Sequence, residues 1–164
     1  MNIMSKKEVR LKEINQALKA LIEPEGDWLA NLANSSALLF EMMDDLNWAG
    51  FYIWKKDQLV LGPFQGKTAC VRIDEDKGVC GAAYSQRKIM LVEDVHEFPG
   101  HIACDPNSRS EIVLPVIVGG EVIAVLDIDS PSKARFDEID RKYLKEFVDI
   151  LVDETNFLPL MEKF

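Results

Sequence analysis

Glu111-Ile112-Val113-Leu114-Pro115-Val116-Ile117-Val118, then Gly119-Gly120, then Glu121-Val122-Ile123-Ala124-Val125-Leu126-Asp127-Ile128-Asp129 is the stretch that decides the fold. Two apolar, β-branched runs meet at a glycine pair, which accepts the positive φ of a tight hairpin turn. Residues Glu111 to Val118 and Glu121 to Asp129 are therefore expected as two antiparallel strands. Asp127 and Asp129 interrupt the apolar run of the second. Side chains two apart share one face of a strand, with Cα atoms roughly 6–7 Å apart. Two carboxylates on one face of a largely buried strand repel each other and lose hydration. Fraying into Ser130-Pro131 accounts for Asp129, but less well for Asp127. Glu111 opens the partner strand, so the hairpin carries it to the same end of the sheet. The three acids can thus converge on one site.

Outward from the hairpin, the period of the apolar residues assigns the other elements. Lys6 to Ile22 has Val9, Leu11, Ile14, Leu18, Leu21 and Ile22 near helical spacing, and Pro24 and Gly26 stop that helix. Asp27 caps a second helix with Leu29, Leu32, Ala33, Leu38, Leu39 and Met42 on its apolar face, ending near Leu46. The period then becomes two. Trp48 to Trp54 reads as a strand, Lys55-Lys56-Asp57 as a turn, Gln58 to Leu61 as the partner strand, and Gly62 to Gly66 as a loop. Ala69 to Ile73, containing Cys70, is a third strand. Lys77 to Tyr84 is a glycine-flanked helix start, Ile89 to Val95 a fourth strand, and His96 to Ser108 a long loop. Phe136 to Phe157 is the terminal helix. Helices at both ends and a mostly antiparallel sheet between them give an α+β layered fold, expected as one domain over residues 1–164.

A net charge of −9 argues against a nucleic-acid binder, which needs clustered Lys and Arg, and against an anionic membrane surface. No apolar run approaches the ~20 residues of a membrane-spanning helix. Met1 to Arg10 is polar and basic with no apolar core after it, so the chain is expected in the cytoplasm. Thiols are kept reduced there, and an odd count of three cysteines also disfavours a structural disulfide framework. Cys104 lies in the polar loop His101-Ile102-Ala103-Cys104-Asp105, whereas buried structural cysteines favour apolar strands and helices. An imidazolium at His101 would lower the Cys104 thiol pKa, and a plain surface histidine is the other reading. Cys70, Cys80, His101 and Cys104 form an allowed zinc ligand set, but no pair has the two-residue gap of a zinc knuckle. Cys70 and Cys80 also read as small core residues. Trp48 and Tyr52 share one strand face, either as core or as the wall of a pocket for a small apolar group.

Several stretches together resemble a known family. They are Gly62-Pro63-Phe64-Gln65-Gly66-Lys67, Ala69-Cys70, Gly78-Val79-Cys80-Gly81, Phe98-Pro99-Gly100-His101-Ile102-Ala103-Cys104-Asp105, Ser110-Glu111-Ile112-Val113 and Leu126-Asp127-Ile128-Asp129-Ser130. The chain resembles the free methionine-(R)-sulfoxide reductases, built on a GAF-type domain. The resemblance implies a GAF-like antiparallel sheet of about six strands flanked by N- and C-terminal helices, with a pocket over one face. It implies that Cys104 is the catalytic nucleophile, Cys70 the first candidate for resolving partner, and Cys80 an auxiliary thiol or a second resolving one. Glu111, Asp127 and Asp129 would bind substrate, with Trp48 and Tyr52 as the aromatic wall. Free methionine sulfoxide would be the substrate and thioredoxin the electron donor, with no cofactor or metal. A homodimer is also implied. A non-catalytic GAF sensor is the alternative, and Phe136-Asp137-Glu138-Ile139-Asp140-Arg141 partly resembles cyclic-nucleotide-binding members.

Overall fold

The computed structural model describes residues 3–102 and 104–163. Ala103 of the Cys104 loop, and the outermost residues of the 1–164 span, lie outside them. In chain order the elements are α1 (Lys6–Ile22), α2 (Trp28–Met42), β1 (Trp48–Lys55), β2 (Gln58–Gly66), β3 (Arg72–Asp74), α3 (Gly78–Gln86), β4 (Met90–Val92), β5 (Ser110–Val118), β6 (Glu121–Ser130), α4 (Glu138–Glu154) and α5 (Leu158–Lys163). One six-stranded antiparallel sheet runs β3-β2-β1-β6-β5-β4. The expected α+β, GAF-like sheet with flanking helices is what forms.

Alternation along the central strands builds a core on each face. Ala49, Phe51 and Ile53 of β1, Ile112 and Leu114 of β5, and Leu126 and Ile128 of β6 pack with Leu11, Ile14, Leu18, Leu32, Leu39, Leu144 and Phe147 of the helices. The alternate residues Trp48, Tyr52, Val113 and Val125 join Leu59, Ile73, Val79 and Cys80 in a smaller core on the other face. The central strands β1, β5 and β6 are largely apolar on both sides because both are covered. Asp27 caps α2 by accepting from the Ala30 N–H, as read from the sequence, and Ser5 caps α1 in a reciprocal capping box with Glu8 that the sequence reading did not include.

Five boundaries differ from the sequence reading, each for a local reason. The second helix ends at Met42, where Met43 turns extended, and Leu29 is half exposed rather than on the apolar face. Gly62 to Gly66 continues β2 instead of forming a loop. The pairing passes from Gly50↔Phe64 to Tyr52↔Leu61, so β2 carries an extra residue at Gly62-Pro63. A bulge accommodates proline because it needs no ladder donor there. The third strand is only Arg72–Asp74, and Cys70 lies just before it. The fourth stops at Val92, where the Asp94 side chain caps a 3₁₀ turn at Val95–Glu97. The terminal helix starts after its Asp137 cap and stops at Glu154, because Asn156 pairs with Asp27 and its N–H bonds Gly26.

Candidate active site

The hairpin register places the three acids together. Glu111 of β5 pairs with Asp129 of β6, which pairs with Trp48 of β1. One row along, Val113 pairs with Asp127 and Asp127 with Gly50. Glu111, Asp127 and Asp129 are therefore neighbours on the face away from α1, α2 and α4. They are 8%, 5% and 8% exposed, and one carboxyl oxygen of each aspartate is buried without a hydrogen-bond partner. Charged groups are almost never buried unless paired, and no cation pairs with these among the described residues. Burial pushes all three carboxyls well above the usual carboxylate range, and repulsion within the group pushes the same way. Three such groups crowded in one buried site favour holding a proton among them.

Gly50 leaves the room this arrangement needs. A Cβ there would lie 2.2 Å from the Phe64 Cβ and 2.8 Å from the Pro63 carbonyl. Phe64 stacks on Trp48 at 5.1 Å between ring centroids, and Trp48 on Tyr52 at 5.8 Å. The two wall residues also hold the Cys70 segment. The Trp48 indole N–H donates to the Lys67 carbonyl at 3.2 Å, and the Tyr52 hydroxyl to the Cys70 carbonyl at 2.9 Å. Burial, then the acids beneath, push the Tyr52 phenol far up, so it stays a neutral donor.

Cys70 and Cys104 form a disulfide across this floor, their Cα atoms 5.3 Å apart. Both sulfurs are thereby consumed, so the zinc set using them as thiolates is incompatible with this state. Cys80, in the first turn of α3, is a buried free thiol. Its sulfur, Glu111 and Asp127 lie within 4.8 Å of one another, close enough to share an ion. Burial, then the neighbouring carboxylates, raise that thiol far above its ordinary value, which makes it a poor thiolate. His101 also lines the cavity, but burial and the adjacent His96 lower its pKa. Of the two readings of His101, the activating imidazolium is thus the less favoured. Lys77, His101, Ile102 and Asp105 complete the rim of a cavity of about 40 Å³ in the disulfide-bonded form.

Sequence reasoning missed Asn47 and Ser108. The Asn47 amide donates to Asp105 Oδ2 at 2.8 Å and to Ser108 Oγ at 2.9 Å. Ser108 and Asp129 both line the cavity. The available signal was Asn47's place beside Trp48 and Ser108's place at the close of the cysteine loop. Neither residue type is distinctive there.

A GAF-domain model matches residues 35–152. Protein YtsP of Bacillus subtilis is 59% identical over 82% of this chain and 83% of its own. The free methionine-R-sulfoxide reductase of Escherichia coli is 53% identical over 83% of this chain and 82% of its own. The free methionine-R-sulfoxide reductase of Neisseria meningitidis, solved in complex with its substrate, superposes with a TM-score of 0.90 at 41% identity over 100% and 98% of the two chains. The acid-floored site and its disulfide thus sit in a chain that belongs to the GAF-domain family of free methionine-R-sulfoxide reductases.

Proposed function

We propose that the chain reduces free L-methionine-(R)-sulfoxide to methionine, with Cys104 as nucleophile and Cys70 as resolving thiol. The observation that carries this reading is the Cys70–Cys104 disulfide beside three buried, proton-sharing carboxyls. A sulfoxide sulfur is electrophilic, and its oxygen leaves only when protonated. The Cys104 thiolate attacks that sulfur while one of Glu111, Asp127 and Asp129 gives its proton to the oxygen. The oxygen passes to Cys104 as the adduct collapses, which releases methionine and leaves a sulfenic acid. The Cys70 thiol condenses with it, expelling water and forming the disulfide. Two electrons from a dithiol donor then restore both thiols.

The same residues account for substrate choice. An ionised member of the acid group pairs with the substrate ammonium. The Lys77 ammonium at the rim is complementary to its carboxylate. Trp48 and Tyr52 cover the methyl group. A peptide-bound methionine sulfoxide has neither terminal charge and is excluded. Thioredoxin is the donor in this reading, and the cytoplasm is the compartment. No helix among the described residues is long and apolar enough to cross a membrane.

A donor-coupled assay with both sulfoxide epimers tests the proposal. Free L-methionine-(R)-sulfoxide should be consumed with thioredoxin oxidation. The (S) epimer and N-acetylated substrate should turn over at least tenfold more slowly. Equal rates for free and N-acetylated substrate would remove the ammonium-binding role of the acids.

A further inference from the structure

We propose that Asn47 is the positioning residue that holds the Cys104 segment over the acids and sets the disulfide–dithiol balance of the Cys70–Cys104 pair. Asn47 immediately precedes Trp48, and its backbone N–H donates to the Asp129 carbonyl at 3.0 Å. It is therefore fixed to the acid-bearing strand. Both hydrogens of its side-chain amide are spent on the segment that carries Cys104, one on Asp105 and one on Ser108. Asp105 is itself braced, its other oxygen accepting from the Asn107 N–H at 2.9 Å. The Ser108 N–H donates to the Asp105 carbonyl at 3.2 Å. The orientation of the amide follows from charge. Turned over, it would present its oxygen to the Asp105 carboxylate, whereas as placed it makes a charge-assisted bond to it. Its Oδ1 is left buried and unpartnered. That is an energetic cost, tolerated because the two bonds to the cysteine segment come with it.

The Asn47 bonds span β1 and the loop residues just after Cys104, so they favour the arrangement in which Cys104 reaches Cys70. On reduction the disulfide takes two electrons and two protons from a dithiol, and the covalent tie between the segments is gone. The released Cys104 segment is then free to leave the position in which Asn47 bonds Asp105 and Ser108. Loss of Asn47 should destabilise the disulfide-bonded form more than the dithiol form. A residue that merely supports the fold would weaken both forms alike and leave the balance unchanged.

The test is the equilibrium of the full chain with dithiothreitol buffers, read by thiol trapping, for wild type, Asn47→Ala, Asn47→Asp, and Asn47→Asp with Asp105→Asn. Asn47→Ala should shift the balance about tenfold toward the dithiol, about 30 mV for this two-electron couple. Asn47→Asp should shift it further, because two carboxylates then face each other. Adding Asp105→Asn restores a donor–acceptor pair and should recover most of that loss. Balances within twofold of wild type in both single variants, or a double variant no better than Asn47→Asp, would overturn the proposal. The thermal midpoints of oxidised and reduced protein give a second readout. Asn47→Ala should lower the oxidised midpoint more than the reduced one, and equal shifts would also overturn it. The inference takes the redox role of the pair from the proposed function. It is read without sulfoxide, so its failure leaves the proposed activity standing.

Discussion

Replacing Asp127 by Asn should make the protein more stable at neutral pH while damaging the site. Asp127 is the middle acid of the group, 5% exposed, with burial and then Asp129 raising its carboxyl pKa. An unfolded aspartate ionises near pH 3.9. Because the folded value is higher, the folded chain holds a proton that the unfolded chain has released. The stability this group contributes is complete below about pH 4 and is lost as pH rises through the folded pKa. Each pH unit of that window costs about 1.4 kcal/mol. Asn has nearly the same shape and no proton to lose, so it removes the penalty and the repulsion of Asp129. One pH unit of the window alone corresponds to about 3–6 °C in melting temperature for a chain of this size. Thermal unfolding of both oxidised proteins from pH 4 to pH 8 measures it. The curves should lie together near pH 4 and separate upward for Asp127→Asn toward pH 7, while kcat/KM falls about a hundredfold or more. A variant less stable than wild type at pH 7, or a gap constant with pH, would refute the reasoning.

Gly50→Ala should cost about 1–3 kcal/mol in urea unfolding, because the new methyl group meets Phe64 and the Pro63 carbonyl well inside contact distance. It should also raise KM, since Phe64 backs the Trp48 wall. Lys7→Met should cost about 1–3 kcal/mol by the same assay. It leaves the carboxyl of Asp140, 1% exposed, with only the Arg135 guanidinium at 3.8 Å as a cation partner. Cys80→Ser should keep multiple turnover within a few-fold of wild type, since a buried, raised thiol is a poor resolving group and serine is close to it in size. Cys70→Ser should release about one methionine per chain and then stall, as read by quenched-flow product analysis.

The acids were legible in the sequence because each violates a strong local rule. A carboxylate in an apolar, β-branched run has few structural explanations, and the Gly119-Gly120 turn fixes the register that brings Glu111 opposite Asp129. The cap of the second helix was legible for a similar reason, since Asp27 carries its signal within one turn. Gly62-Pro63 was misread because the same dipeptide signals a loop or a bulge, and only the partner strand decides which. Cys70 was assigned to a strand it precedes because its position is set by tertiary ties, the Tyr52 hydroxyl and the Cys104 sulfur. Periodicity carries no trace of either. Asn47 and Ser108 stayed hidden because their effect depends on what lies across the fold from them. Of the two readings of His101, burial and the adjacent His96 favour the neutral ring over the imidazolium, which spacing along the chain does not reveal.

The central claim is that Cys104 is oxidised by the sulfoxide and Cys70 resolves it. Fully reduced protein, mixed with one equivalent of free L-methionine-(R)-sulfoxide and no donor, tests this most directly. Methionine is quantified and the disulfides are mapped by peptide mass. The account predicts about one methionine per chain, a Cys70–Cys104 peptide pair, free Cys80, and no methionine from Cys104→Ser. Methionine formed by Cys104→Ser, or a product disulfide that contains Cys80, would contradict it.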